Sequence, residues 1–139
     1  MAITQAMCTS FKVEILGGIH DLDTDVIKLA LYQSSATLNA ATTAYATTGQ
    51  TTGTGYTAGG NTLTGAVISA DGTTAIVTFA TSTWTGATFT ARGALVYNSS
   101  KANRAIAILD FGGDQVVSSG DFAVIFPTAD AANAIVRIA

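Results

Sequence analysis

The chain has 139 residues and a net charge of −3, with 48% apolar residues and only 11% charged ones, where about 25% charged is usual for a soluble domain. One domain with one core fits this length, and the six Lys and Arg residues are scattered from Lys12 to Arg137, which excludes a basic face for nucleic acid. The apolar runs at 105–109 and 123–126 are too short to cross a bilayer.

The opening Met1-Ala2-Ile3-Thr4-Gln5 lacks the basic and apolar regions of a signal peptide, so the chain is expected to fold in a cytoplasm. With so few charges, the polar surface must be mostly Thr, Ser, Asn and Gly. Such a surface costs little to desolvate and suits permanent contact with partners. The alternative is a plain β domain with a Thr-rich face.

Residues 1–18 hold the one helix candidate, over 4–16. Met7, Phe11 and Ile15 recur at a spacing of four, with Cys8 and Leu16 alongside. Thr4 is placed as its N-cap, and Gly17-Gly18 supplies the stop. The stripe Met7, Phe11 and Ile15 is expected to dock on the sheet or on a neighbouring subunit. Cys8 is the single cysteine, so no internal disulfide and no Cys/His zinc set can form. It reads as a small buried hydrophobe, with an intermolecular disulfide as its other use.

The remainder reads as strands and turns. Residues 26–32 alternate, with Ile27, Leu29 and Leu31 on one face and Lys28 on the other. Runs at 66–70 and 73–79 flank Asp71-Gly72, a hairpin signal because both residues tolerate positive φ. Residues 88–97 form a longer strand with Phe89, Ala91, Gly93, Leu95 and Tyr97 on one face. Gly93 there predicts a bulge or a close backbone approach. A polar turn at 98–103 leads to a central strand at 104–111, broken by Gly112-Gly113-Asp114. A hairpin across Ser118-Ser119-Gly120 follows, ended by Pro127, the only proline. A strand at 134–138 closes the chain. Seven to eight short strands, with turns about every ten residues, predict an all-β fold, an antiparallel two-sheet sandwich or jelly roll.

Residues 34–65 are the exception. They are rich in Thr, Ala and Gly and nearly uncharged, and a structureless loop of about thirty residues is unusual in a compact domain. Either a short strand lies near 42–47, or the segment is an extended arm. Its glycine-dense part, with Gly53, Gly55, Tyr56, Gly59, Gly60 and Asn61, is a candidate partner contact that orders on binding. Trp84, between two strands, is another.

No catalytic set is legible. His20 is the only histidine, and no nucleophile-elbow pattern surrounds it. Asp21, Asp23 and Asp25 match the first half of a calcium loop. Val26 and Tyr32 occupy the positions that need glycine and a bidentate acid, so an EF-hand is excluded. The bland reading is a solvated turn, with a casual calcium site as the alternative. Gly53-Thr54-Gly55 lacks the lysine and following helix of a phosphate loop. Trp84 with Tyr45 and Tyr56 could stack on a sugar, although a lone Trp at a strand end more often caps a core. No cofactor, metal or enzymatic activity is expected.

Four segments carry a resemblance. They are Met1-Ala2-Ile3-Thr4-Gln5-Ala6-Met7-Cys8-Thr9-Ser10-Phe11-Lys12, Gly53-Thr54-Gly55-Tyr56-Thr57-Ala58-Gly59-Gly60-Asn61, Thr90-Ala91-Arg92-Gly93-Ala94-Leu95-Val96-Tyr97-Asn98, and the closing stretch from Phe126-Pro127 to Arg137-Ile138-Ala139. Together they resemble a family of small tailed-bacteriophage virion structural proteins. The resemblance implies a capsid decoration (cement) protein on the outer capsid surface. It also implies the major capsid protein as partner, a homo-oligomer on the virion, and no catalytic residues. Neither nucleic acid nor membrane is an expected partner. The alternative is a tail or fibre component that binds host-surface glycans through Trp84, Tyr45 and Tyr56.

Overall fold

A computed structural model describes residues 2–139. In chain order it holds β1 (Ala6–Met7), α1 (Thr9–Leu16), β2 (Ile27–Tyr32), β3 (Asn61–Thr62), β4 (Val67–Asp71), β5 (Thr74–Thr78), β6 (Ser82–Asn98), a 3₁₀ turn (Ser99–Lys101), β7 (Arg104–Val124) and β8 (Val136–Ile138). The strands form two antiparallel sheets, one ordered β1-β7-β6-β2-β3 and the other β4-β5-β8. This is the all-β two-sheet sandwich with a short helix that the alternation predicts.

The long β6–β7 ribbon is the frame. β2 pairs with its 93–98 half in unbroken register, from Ile27 opposite Asn98 to Tyr32 opposite Gly93. There β2 and β6 are buried on both faces, Lys28 being only partly covered, so apolar side chains occur at nearly every position. Gly93 marks a shift in the ladder between Ala91 and Gly93. A side chain on it would meet the Leu109 carbonyl and the Ile3 side chain, so bulge and close approach coincide. Asn98 closes the ribbon by accepting from the Ser100 amide, while Ala102 and Asn103 take left-handed φ of 56° and 58°. Val77 and Val136 of the small sheet, with Phe79 beyond it, join the same core as Leu95, Ile106 and Trp84.

Four expectations need correction. The helix does not begin at Thr4: it covers Thr9–Leu16 with Cys8 at its N-cap. Met7 lies in β1, opposite Ala107 of β7. The fourfold spacing of Met7, Phe11 and Ile15 suits a helix, but β7 leaves a free edge there, and its ladder takes Ala6 and Met7. Gly17 and Gly18 do stop the helix, their amides donating to Glu14 and Ile15 and Gly18 taking φ 71°.

The strand at 104–111 is not broken at Gly112-Gly113-Asp114, and no hairpin turns at Ser118-Ser119-Gly120. β7 continues from Arg104 to Val124 against β6. The glycines sit where Ala91 pairs with Gln115 and Gly93 with Asp110, so β7 carries extra residues as a bulge. Ser119 takes φ 49°, and its amide donates to Thr88 Oγ1 at 2.9 Å. The residues that signal a turn here absorb irregularity within one strand.

The β4–β5 hairpin is present but turns one residue later than expected. Asp71 pairs with Thr74, leaving Gly72-Thr73 as the loop. Only Gly72 takes positive φ, at 61°, which suits the first central position of a type II′ turn.

Candidate functional site

Residues 34–65 lie against the large sheet. Leu38 accepts from Thr4 and donates to Ala2 through the backbone, and Thr43 and Tyr45 exchange backbone hydrogen bonds with Ala105 and Asn103. An isolated bridge joins Ala44 to Arg104, so the 42–47 region pairs with β7 without forming a full strand. Ala36, Leu38 and Thr51 are buried.

Gln50 anchors the glycine-dense part. Its Oε1 accepts from the Tyr56 hydroxyl at 2.8 Å and the Gly59 amide at 2.8 Å, and its Nε2 donates to the Tyr45 hydroxyl at 3.1 Å. The Leu31 amide donates to the Tyr56 hydroxyl at 3.0 Å, and Tyr97 donates to the Gly59 carbonyl at 2.7 Å. Tyr45 stacks on Tyr97 with ring centroids 4.8 Å apart. Burial raises the hydroxyls of Tyr32 and Tyr56 well above the usual phenol range and that of Tyr97 to about 12, so all three remain neutral hydrogen-bonding groups.

The candidate contact residues therefore divide. Tyr56, Gly59 and Gly60 form the inner side of the loop. Asn61 donates to Ser82 Oγ and the Thr83 carbonyl, both at 3.1 Å. Gly53 and Gly55 are exposed beside Thr52, Thr54, Thr57 and Ala58. Trp84 is 4% exposed and packs among Tyr56, Phe89 and Phe122. It caps core, so Trp84, Tyr45 and Tyr56 do not make an open stacking platform. The sequence places Tyr97 on a strand face but marks neither its bond to Gly59 nor the anchoring role of Gln50, because no local pattern marks a residue whose partners are distant.

On the docking stripe, Phe11 is fully buried, and Met7 and Ile15 are partly buried against the core. The helix shows solvent Lys12, Val13 and Leu16 instead.

His20 is buried in a polar network. Its Nε2 lies 2.8 Å from Glu14 Oε1, and its Nδ1 lies 3.0 Å from Asn98 Nδ2. Asn98 donates to Asp25 Oδ2 at 2.8 Å, Arg104 donates to Glu14 Oε2 at 3.0 Å, and Lys101 approaches Asp25 at 3.8 Å. Asn98 Oδ1 accepts from the Ser100 amide, which fixes the amide orientation. His20 Nδ1 is thus the acceptor, and Nε2 carries the proton toward Glu14. Every polar group is satisfied within the network, an arrangement that fixes position.

The Asp21–Asp25 run is a hydrogen-bonded turn. Asp21 Oδ1 accepts from the amides of Asp23 and Thr24, and the Asp21 amide donates to Asp25 Oδ2. Among the described residues no group of three or more His, Cys, Asp or Glu side chains is placed to hold a metal. Beside this turn lies an apolar groove of about 370 Å³ between α1 and the small sheet. Phe11, Ile15, Ile68, Val77 and Ile138 form its walls together with His20 and Asp21.

No family model, no curated protein and no solved structure matches the chain.

Proposed function

We propose that the chain is a structural protein of a tailed-phage virion: a capsid decoration (cement) protein that binds the major capsid protein on the outside of the shell and stabilises it. The observation that carries the contact role is a weakly charged exterior bearing large aliphatic side chains. Leu16 is 90% exposed, Ile125 77% and Val116 73%, and Val13, Val67 and Ile68 are each more than half exposed. Single exposed aliphatics are ordinary. Here they stand on α1, β4, β7 and the stretch after β7, so several faces of one small domain offer apolar contact.

A protein that bridges neighbouring subunits needs more than one such face. Each contact is modest, and repetition over a lattice multiplies it. The virion setting rests on the resemblance of the four quoted segments. The satisfied network around His20 and the tyrosine-clamped loop supply the rigidity that a load-spreading subunit requires.

Copy number tests the reading. Quantitative mass spectrometry of purified particles is expected to find on the order of hundreds of copies, as a capsid lattice requires. A few to some tens would place the chain in the tail and overturn the cement assignment.

A further inference from the structure

The groove between α1 and the small sheet is open although its walls are apolar. Opposite pairs in an antiparallel ladder share a face, so Ile68, Val77 and Val136 form one row and Ala75 and Ile138 the next. Val77 and Val136 are buried, while Ile68 remains 55% exposed and Ile138 48%. The row thus begins in the core and ends in solvent. β4 is also an edge strand, paired only with β5, and all five of its residues are exposed. A groove of this size and lining holds one or two aliphatic side chains.

Charge decides between occupants. Asp21 lines the groove, and Asp23 is exposed two residues on. Neither has an ion-pair partner among the described residues. A second copy docking here about a twofold axis would bring two Asp21–Asp25 turns into one interface, and like charges across an interface oppose association. A partner with positive charge beside an apolar anchor has the complementary pattern.

We infer that this groove receives an aliphatic side chain of a partner protein, whose neighbouring Lys or Arg meets Asp21 and Asp23. The inference rests on the structural-subunit reading and names the contact surface for it. The apolar anchor supplies the affinity, and the carboxylates supply orientation and salt dependence.

The test is a titration of the full chain, labelled at isoleucine methyl groups, with a short peptide holding a central Leu-Ile pair flanked by lysines. Methyl shifts are expected at Ile15, Ile68 and Ile138 and not at Ile125, which is exposed outside the groove. Ile68→Glu is expected to weaken binding about tenfold or more. Asp21→Asn with Asp23→Asn, which keeps a side-chain acceptor at both sites, should weaken it a few-fold. Equal binding of a peptide with glutamates in place of the lysines would overturn the proposal. So would shifts spread away from the groove, or no saturation at all. A monomer–dimer equilibrium abolished by Ile68→Glu would overturn it in favour of self-association. Ile138→Glu serves as the second variant if Ile68→Glu does not fold. If either variant still decorates shells fully, the groove assignment fails and the cement reading stands. If the unaltered chain does not bind shells, the cement reading fails whatever the peptide does.

Discussion

Asn98 Nδ2 donates to Nδ1 of His20 across 78 residues of sequence, at 3.0 Å. The pair ties the loop after α1 to the tip of the β6–β7 ribbon, and Asn98 extends the tie to Asp25 and Ser100. Asn98→Ala would strand the His20 nitrogen and the Ser100 amide and remove one donor from the Asp25 carboxylate, which keeps the Asp21 amide. Each unsatisfied buried group costs about 1–3 kcal/mol, and water reaches part of this cluster. The expected loss is about 2–4 kcal/mol, read as a lower urea midpoint with an unchanged slope. A loss under about 0.5 kcal/mol would mean that the network carries no stability.

Four carboxylates, Asp25 of this network among them, set an acid limit. The Asn98 side chain, then the Asp21 amide, hold the Asp25 carboxyl below its usual range. Thr24 and the Asp23 amide do so for Asp21, the Gly112 amide for Asp110, and Asn133 for Asp130. A depressed carboxylate contributes stability that is complete above its unfolded value, about 3.9. That stability is lost as pH falls through the lower folded value. Thermal midpoints should therefore drop as pH falls below about 4. In Asn98→Ala the acid slope should be shallower, because Asp25 loses the bond that depresses it. An equal slope would detach Asp25 from Asn98.

Gly60 and Gly72 separate two uses of positive φ. Gly60 has φ 77°, and a Cβ there would stand 1.8 Å from the Leu29 carbonyl oxygen; Gly72 has φ 61° and open space around it. Gly72→Ala should cost about 1–2 kcal/mol from backbone conformation alone. Gly60→Ala must also push the 34–65 segment off β2, and the expected cost is about 3 kcal/mol or more. Equal costs in chemical denaturation would show that the loop does not bear on the strand.

The sequence carries the frame more clearly than the clamp. Residues 88–92 alternate because that half of β6 is a half-covered pleat, and the denser apolar runs at 26–32 and 93–97 mark the part of β2 and β6 that is buried on both faces. Gly112-Gly113 and Ser118-Ser119-Gly120 carry the residue types of turns. Nothing local says that β6 continues alongside and holds them in one ladder. The glycine-dense stretch announces unusual backbone but not its partner. Gly60 needs its missing Cβ because of Leu29, and Tyr56 is held by Gln50. Those distances exist only after folding. The helix start was obscured in the same way, since Met7 keeps helical spacing while its backbone pairs with Ala107.

Cys8 offers a chemical check on burial. It is fully buried, and burial with the nearby Glu14 charge pushes its thiol up to about 11. At pH 8 the native chain should react with iodoacetamide at least about a hundredfold more slowly than the urea-unfolded chain. Native chains should form no intermolecular disulfide in air. Fast native alkylation would place the thiol at the surface.

Shell stabilisation is the most direct measure of the central claim. Empty capsids lacking this protein would be mixed with the purified chain and heated while shell disruption is followed by light scattering. Saturable binding and a disruption temperature that rises with occupancy are expected. Shells that bind no protein, or bind it and break at the same temperature, would contradict it.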